Sequence, residues 1–177
     1  MRAPPPELSR PLRADRVPAA GCEERIAADA EECTRLAARL GVPALHALTA
    51  SLVIEPARGK GLRVHGAVRA RVTQTCVVTL EEFDTEMHVE IERFFLPATA
   101  FHGDDQEAAD EDVDLIRDGE IDLGELVGES LALAIDPYPR KPGVAFSPVS
   151  SGGGSDRGES RTPFAELARL RGGPRRR

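Results

Sequence analysis

Cys33, Leu36, Ala37 and Leu40 recur at helical spacing, and their neighbours punctuate a helix. Asp29 is placed to cap its start and Glu32, three residues on, completes a capping-box pattern. Gly41 suits a left-handed position at the end, and Pro43 prevents continuation. This predicts a helix of about 11 residues. Residues 24–28 (E-R-I-A-A) before it read as a short strand. From Leu45 the period falls to two. Leu48, Ala50, Leu52 and Ile54 alternate with Thr49, Ser51, Val53 and Glu55, as in a half-buried strand. Residues 56–61 (P-A-R-G-K-G) read as a hairpin loop whose two glycines supply positive φ. A long strand follows, with Leu62, Val64, Gly66, Val68, Ala70 and Val72 on one face and Arg63, His65, Ala67, Arg69 and Arg71 on the other. The run Cys76, Val77, Val78, Thr79, Leu80 is continuous and predicts a third strand buried on both faces. A fourth alternates Met87, Val89, Ile91 and Arg93 against His88, Glu90, Glu92 and Phe94, and stops at Pro97.

Val113, Leu115 and Ile116 suit a short edge strand, and Asp118-Gly119 is a turn dipeptide. A second helix is then announced by Asp122 as its N-cap, with Glu125 reaching back in a second capping box. Leu123, Leu126, Val127 and Leu131 give it one apolar face, and Asp136-Pro137 ends it. Tyr138 and Pro139 set an extended exit. Residues 1–20 hold five prolines and sparse apolar anchors, which leaves an edge segment or a loose extended arm open. Residues 102–112 predict a mobile acidic loop, and residues 152–158 a flexible linker. Residues 163–170 predict a short amphipathic helix with Thr162 as its cap and Pro163 at its first position. The elements sum to a single α+β domain over residues 21–149, an antiparallel sheet packed with two main helices, with a barrel-like closure left open. A 1–20 arm precedes it and a basic tail, 150–177, follows.

Charge changes this picture by dividing it. Residues 81–129 hold 18 carboxylates against Arg93 and Arg117, a local balance of −16, within a net charge of −7. Arg58, Lys60, Arg63, Arg69 and Arg71 form a basic stretch without an acid, and residues 151–177 carry seven arginines against three acids. The acidic middle repels phosphate and attracts cationic partners, so direct RNA contact falls to the basic stretches. With 177 residues, no tryptophan and 4% aromatics, the core must be aliphatic. No apolar run approaches the roughly 18 residues of a membrane span, and the first residues lack an apolar signal region. Three cysteines without a CxxC pattern argue against a disulfide framework or a cysteine zinc site, and point to a reducing, cytoplasmic setting.

A catalytic set does not assemble from the sequence. His46, His65, His88 and His102 are scattered, and the acids from Asp104 to Asp114 match a calcium loop in charge but not in order. Cys76, in an apolar strand pattern, is expected to be buried with a raised pKa. Glu125 and Glu129, four apart, are a conceivable carboxylate pair but fit better as a cation-facing helix side. No cofactor or metal is expected. Arg63, Arg69 and Arg71 share one strand face and, with Arg58 and Lys60, are RNA-binding candidates through phosphate; no interleaved aromatic supports base stacking.

Several blocks together give a resemblance. They are Gly66 to Ala70 (G-A-V-R-A), Gln74 to Glu81 (Q-T-C-V-V-T-L-E, with Cys76, Thr79 and Leu80), and Asp118 to Val127 (D-G-E-I-D-L-G-E-L-V, with Gly119, Asp122, Leu123 and Leu126). Pro137-Tyr138-Pro139 and the closing P-F-A-E-L-A-R-L complete the set. The chain resembles the YceD family of bacteria and plastids over roughly residues 7–172. Many members carry a C-x-R-C pair where this chain has only Cys76, so a thiol-pair or metal role does not carry over. The resemblance implies a role in large-subunit ribosomal RNA accumulation and no known enzymatic activity. The family's gene often neighbours that of a small basic ribosomal protein. The expected function is therefore a non-enzymatic ribosome-assembly factor. Its acidic surface, with Asp118, Glu120, Glu125 and Glu129, engages a basic ribosomal protein or pre-ribosomal particle. A direct RNA-binding module using the arginine face is the alternative, and a carboxylate hydrolase a third.

Overall fold

The alternation between residues 44 and 97 builds the sheet on which everything else rests. In the computed structural model, residues 6–97 and 113–145 are described. The chain divides into units 1–145 and 146–177, and all described residues lie in the first. The expectations for residues 102–112, the linker, the helix at 163–170 and the arginine tail fall outside them.

The elements run β1 (Pro11–Arg13), β2 (Cys22–Ala27), α1 (Ala30–Leu40), β3 (Ala44–Pro56), β4 (Leu62–Thr75), β5 (Glu82–Pro97), β6 (Val113–Ile116), β7 (Glu120–Asp122) and α2 (Leu123–Ala134). Five strands form one sheet in the order β2-β3-β4-β5-β6; β1 and β7 form a separate two-stranded pair. All pairings are antiparallel except β5 with β6, which is parallel. Among the described residues the sheet remains open, and the architecture is α+β. One sheet face carries Leu48, Leu52, Ile54, Val64, Val68 and Val72, all 1% exposed or less, with Leu36 of α1 and Val127 and Leu131 of α2 in the same core. At ~25 cal/mol per Å², burial of this aliphatic layer is the main favourable term.

The first helix follows its sequence signals closely. Asp29 accepts from the Glu32 N–H, the Glu32 carboxylate accepts from the Asp29 N–H, and Gly41 takes φ 67 at the end. Arg10 adds a second use of Glu32, donating to both its oxygens at 2.8 and 3.0 Å. Those hydrogen bonds hold the Glu32 carboxyl below the usual range, with the Asp29 N–H adding to the effect.

Three expectations are corrected. Residues 76–80 are not a strand but the turn joining β4 to β5. Cys76 is fully buried, whereas Val77 is 44% and Leu80 78% exposed, and Leu80 takes φ 60. A short apolar run carries no period, so burial on both faces was the wrong inference. In the 56–61 loop, Gly59 (φ 67) and Lys60 (φ 61) supply the positive φ, and Gly61 (φ −81) does not. A Cβ at Gly61 would meet the Phe95 carbonyl oxygen at 2.5 Å, so close packing is what that glycine permits. The second capping box is only half present. Asp122 caps α2, but Glu125 turns away to Arg39.

The N-terminal segment is built into the fold from residue 6. Leu8 is 1% exposed within the core, and β1 pairs with β7. Among the described residues, no helix is long and apolar enough to cross a membrane.

Candidate functional site

Asp122 organises the acidic end of the molecule. Its carboxylate accepts from Ser9 Oγ (2.6 Å), the Arg10 N–H (2.7 Å) and the N–H groups of Gly124 and Glu125 (2.9 and 3.3 Å). One side chain thereby starts α2 and pins the N-terminal segment across it. Gly124 completes the fit: a Cβ there would lie 2.8 Å from the Leu8 carbonyl oxygen. The turn before β7 has positive φ at both Asp118 (52) and Gly119 (76), as a type I′ hairpin turn requires. The Gly119 carbonyl accepts from the Ala14 N–H at 2.9 Å.

This scaffold brings most of the acidic candidates together. A groove of about 360 Å³ between β6, β7 and α2 is lined by Asp114, Glu120, Asp122, Glu125 and Glu129, with Arg117 the one cation among its lining residues. Asp118 lies at the exposed turn beside it and is not part of the lining. The five carboxylates are not equivalent. Both Glu125 oxygens accept from Arg39, at 2.6 and 2.8 Å, and Arg39 also reaches Glu7 at 3.0 Å. That clamp joins α1, α2 and the N-terminal segment, and it raises the Arg39 pKa, chiefly through the hydrogen bonds to Glu125. Asp122 is engaged as cap, Asp114 is 3.9 Å from Arg93, and Glu120 is 3.9 Å from exposed Arg13. Glu129 is exposed and enters no ion pair with a described residue. Glu120 and Glu129 are thus the carboxylates best available to a partner. Sequence reasoning missed the Arg39 clamp, because its members lie 32 and 86 residues apart.

The basic candidates are split. Arg63 donates to Glu92 and lies 5.8 Å from the Phe94 ring centroid. Arg58 and Lys60 sit in the β3–β4 turn. Arg69 and Arg71, both exposed, flank a groove of about 610 Å³ on the open sheet face. The neighbouring strand places His88 opposite Arg69 and Glu86 opposite Arg71, and Glu90 and Glu92 continue the row. The arginine stripe therefore runs beside an acidic stripe, a pattern hidden in the sequence because register sets it.

Cys76 corrects the expectation of an inert thiol. The Thr79 hydroxyl and the backbone N–H groups of Lys141, Thr79 and Val78 lie around its sulfur as potential donors. These donors favour the thiolate over the opposing cost of burial and pull the pKa down to about 6. The turn is tied to the chain after α2: the Val77 N–H donates to the Pro139 carbonyl (2.9 Å), Gln74 to the Asp136 carbonyl (3.4 Å) and Lys141 Nζ to Glu81 (2.9 Å). Pro137, Tyr138 and Pro139 thus form one unit with the cysteine turn. Burial raises Cys22 and Cys33 instead. An ultraviolet thiolate titration should show one step near pH 6 that vanishes in Cys76→Ala, with the other two thiols ionising above their ordinary value of 9.0. Three coincident high-pH steps would refute this hydrogen-bonding account. A depressed thiol stabilises the fold fully above its unfolded pKa, and that contribution fades as pH falls from about 9 toward about 6.

No group of His, Cys, Asp and Glu among the described residues is arranged to hold a metal ion. Searches of curated proteins and of solved structures returned no match. A family model does match: residues 64–171, more than half of the chain, fit the model described as large ribosomal RNA subunit accumulation protein YceD. That span takes in Gly66, the cysteine turn, Asp122 and the five carboxylates of the groove, and the chain belongs to the YceD family.

Proposed function

We propose that this chain is a non-enzymatic factor in assembly of the large ribosomal subunit, and that its acidic groove holds a basic protein partner. Family membership supports the role in large-subunit ribosomal RNA accumulation. The partner reading rests on one observation: five carboxylates converge on one groove, and two of them, Glu120 and Glu129, are not held by a close ion pair with a described residue. Such a field favours a cationic partner and speeds its encounter. Glu125 is committed to Arg39, which argues against its working with Glu129 as a hydrolytic carboxylate pair.

A pull-down of the full chain from lysate, with and without nuclease, tests the partner class. Association with large-subunit proteins should survive nuclease. A Glu120→Lys, Glu129→Lys double variant should weaken it about tenfold or more, since it converts two attractive contacts to repulsive ones. These positions leave the Asp122 cap and the Arg39 clamp intact. Loss of the association on nuclease treatment would oppose the reading.

That loss would favour the second reading, in which Arg69 and Arg71 contact RNA phosphate. The exposed groove they share supports it. Its signature is salt-sensitive filter binding that falls when both are neutralised.

A further inference from the structure

β5 is far longer than the strand beside it. It pairs with β4 from Glu82 to Phe95, whereas β6 covers only Phe94 to Pro97 on the opposite side. Among the described residues, no strand pairs with residues 82–93 on that side. Among the described residues, a row of backbone donors and acceptors is therefore left open, the template on which another strand can add.

The surroundings specify what kind of strand. Along β5, Glu82, Asp84, Glu86, Glu90 and Glu92 share the outer face with His88. Glu82, Glu86 and Glu90 form no ion pair with a described residue. On the other face Met87 and Val89 are only half-buried. There a groove of about 290 Å³ runs between β5 and the end of α2, with Leu133, 79% exposed, on its α2 side. Side chains of an added strand alternate between the two faces. Basic residues would meet the glutamate row, and apolar residues would meet Val89 and Leu133. A second copy of this chain would instead set glutamate against glutamate, which is repulsive.

We infer that residues 82–93 of β5 accept an extended basic segment of a partner protein by strand addition, alternating basic and apolar residues. The inference takes its partner class from the function proposed above, but uses a different surface from the β6–β7–α2 groove.

The test titrates the full-length chain with a labelled synthetic peptide of about ten residues alternating lysine and valine. The same peptide N-methylated at alternate residues, which removes backbone donors but keeps every charge, is the comparison. Hydrogen exchange is followed with and without peptide. The unmodified peptide should bind, slow exchange within residues 82–93, and lose about tenfold or more in affinity on N-methylation and in Glu86→Lys, Glu90→Lys. Equal binding of the N-methylated peptide would overturn strand addition in favour of charge alone. So would absence of binding, or protection appearing at the β6–β7–α2 groove instead. Protection of these amides in the free chain would mean that the edge is already covered, which also overturns it. A monomer in sedimentation would count for a free edge, and a dimer for pairing of two copies, overturning the proposal. If the peptide fails while the nuclease-resistant pull-down succeeds, strand addition falls and the partner reading stands.

Discussion

Gly66→Ala should lower stability by about 3 kcal/mol or more, among the larger costs that a single methyl group can impose. Gly66 lies in the middle of β4, opposite Leu52 of β3 and Ile91 of β5. A Cβ there would run into the Ser51 carbonyl oxygen and come within 2.9 Å of the Leu52 Cα. Both obstacles are backbone, so no rotamer change relieves them. The central strands must separate within the buried core, beside Leu52 and Val68. Chemical denaturation should show a lower midpoint with an unchanged slope. Gly119→Ala is the control. Nothing lies within 4 Å of its Cβ, so only the positive φ of 76 is penalised, at roughly 1 kcal/mol. If both variants cost the same, the close approach of β3 and β4 at Gly66 is wrong.

Asp122→Ala should cost about 2–4 kcal/mol, above an ordinary helix cap, because four donors lose their acceptor together. Two of them start α2, and the other two hold Ser9 and Arg10 across it. Asp122→Asn is the informative companion, since an amide keeps one carbonyl oxygen but loses the charge. Its cost should therefore fall between zero and that of the alanine variant. Native-state hydrogen exchange should show faster exchange at Arg10 and through β1 in Asp122→Ala, because Arg10 then loses the acceptor for its own N–H. An effect confined to the first turn of α2 would contradict the double role.

How far the sequence disclosed this arrangement depends on the range of each interaction. The cap at Asp29, the glycine at Gly41, the alternation of β3 and β4 and the apolar face of α2 are local, and each is present in the structure. Residues 76–80 misled because composition without period says nothing about which way side chains point. Glu125 misled because a distant arginine competes with the capping box and wins, offering two charged hydrogen bonds in place of one backbone donor. The acidic groove was visible as charge but not as shape. Asp114, Glu120 and Glu129 meet only because β6 joins β5 in parallel and β7 turns away to β1. Cys76 depended on an N–H group from a segment some 60 residues further on, which no local pattern announces.

Deleting the gene, restoring either the wild-type chain or Glu120→Lys, Glu129→Lys, and profiling ribosomal particles on a gradient tests the central claim most directly. The account predicts a deficit of large-subunit particles and of their ribosomal RNA on deletion, repaired by the wild type and not by the folded double variant. Normal particles without the gene, or full repair by the double variant, would contradict it.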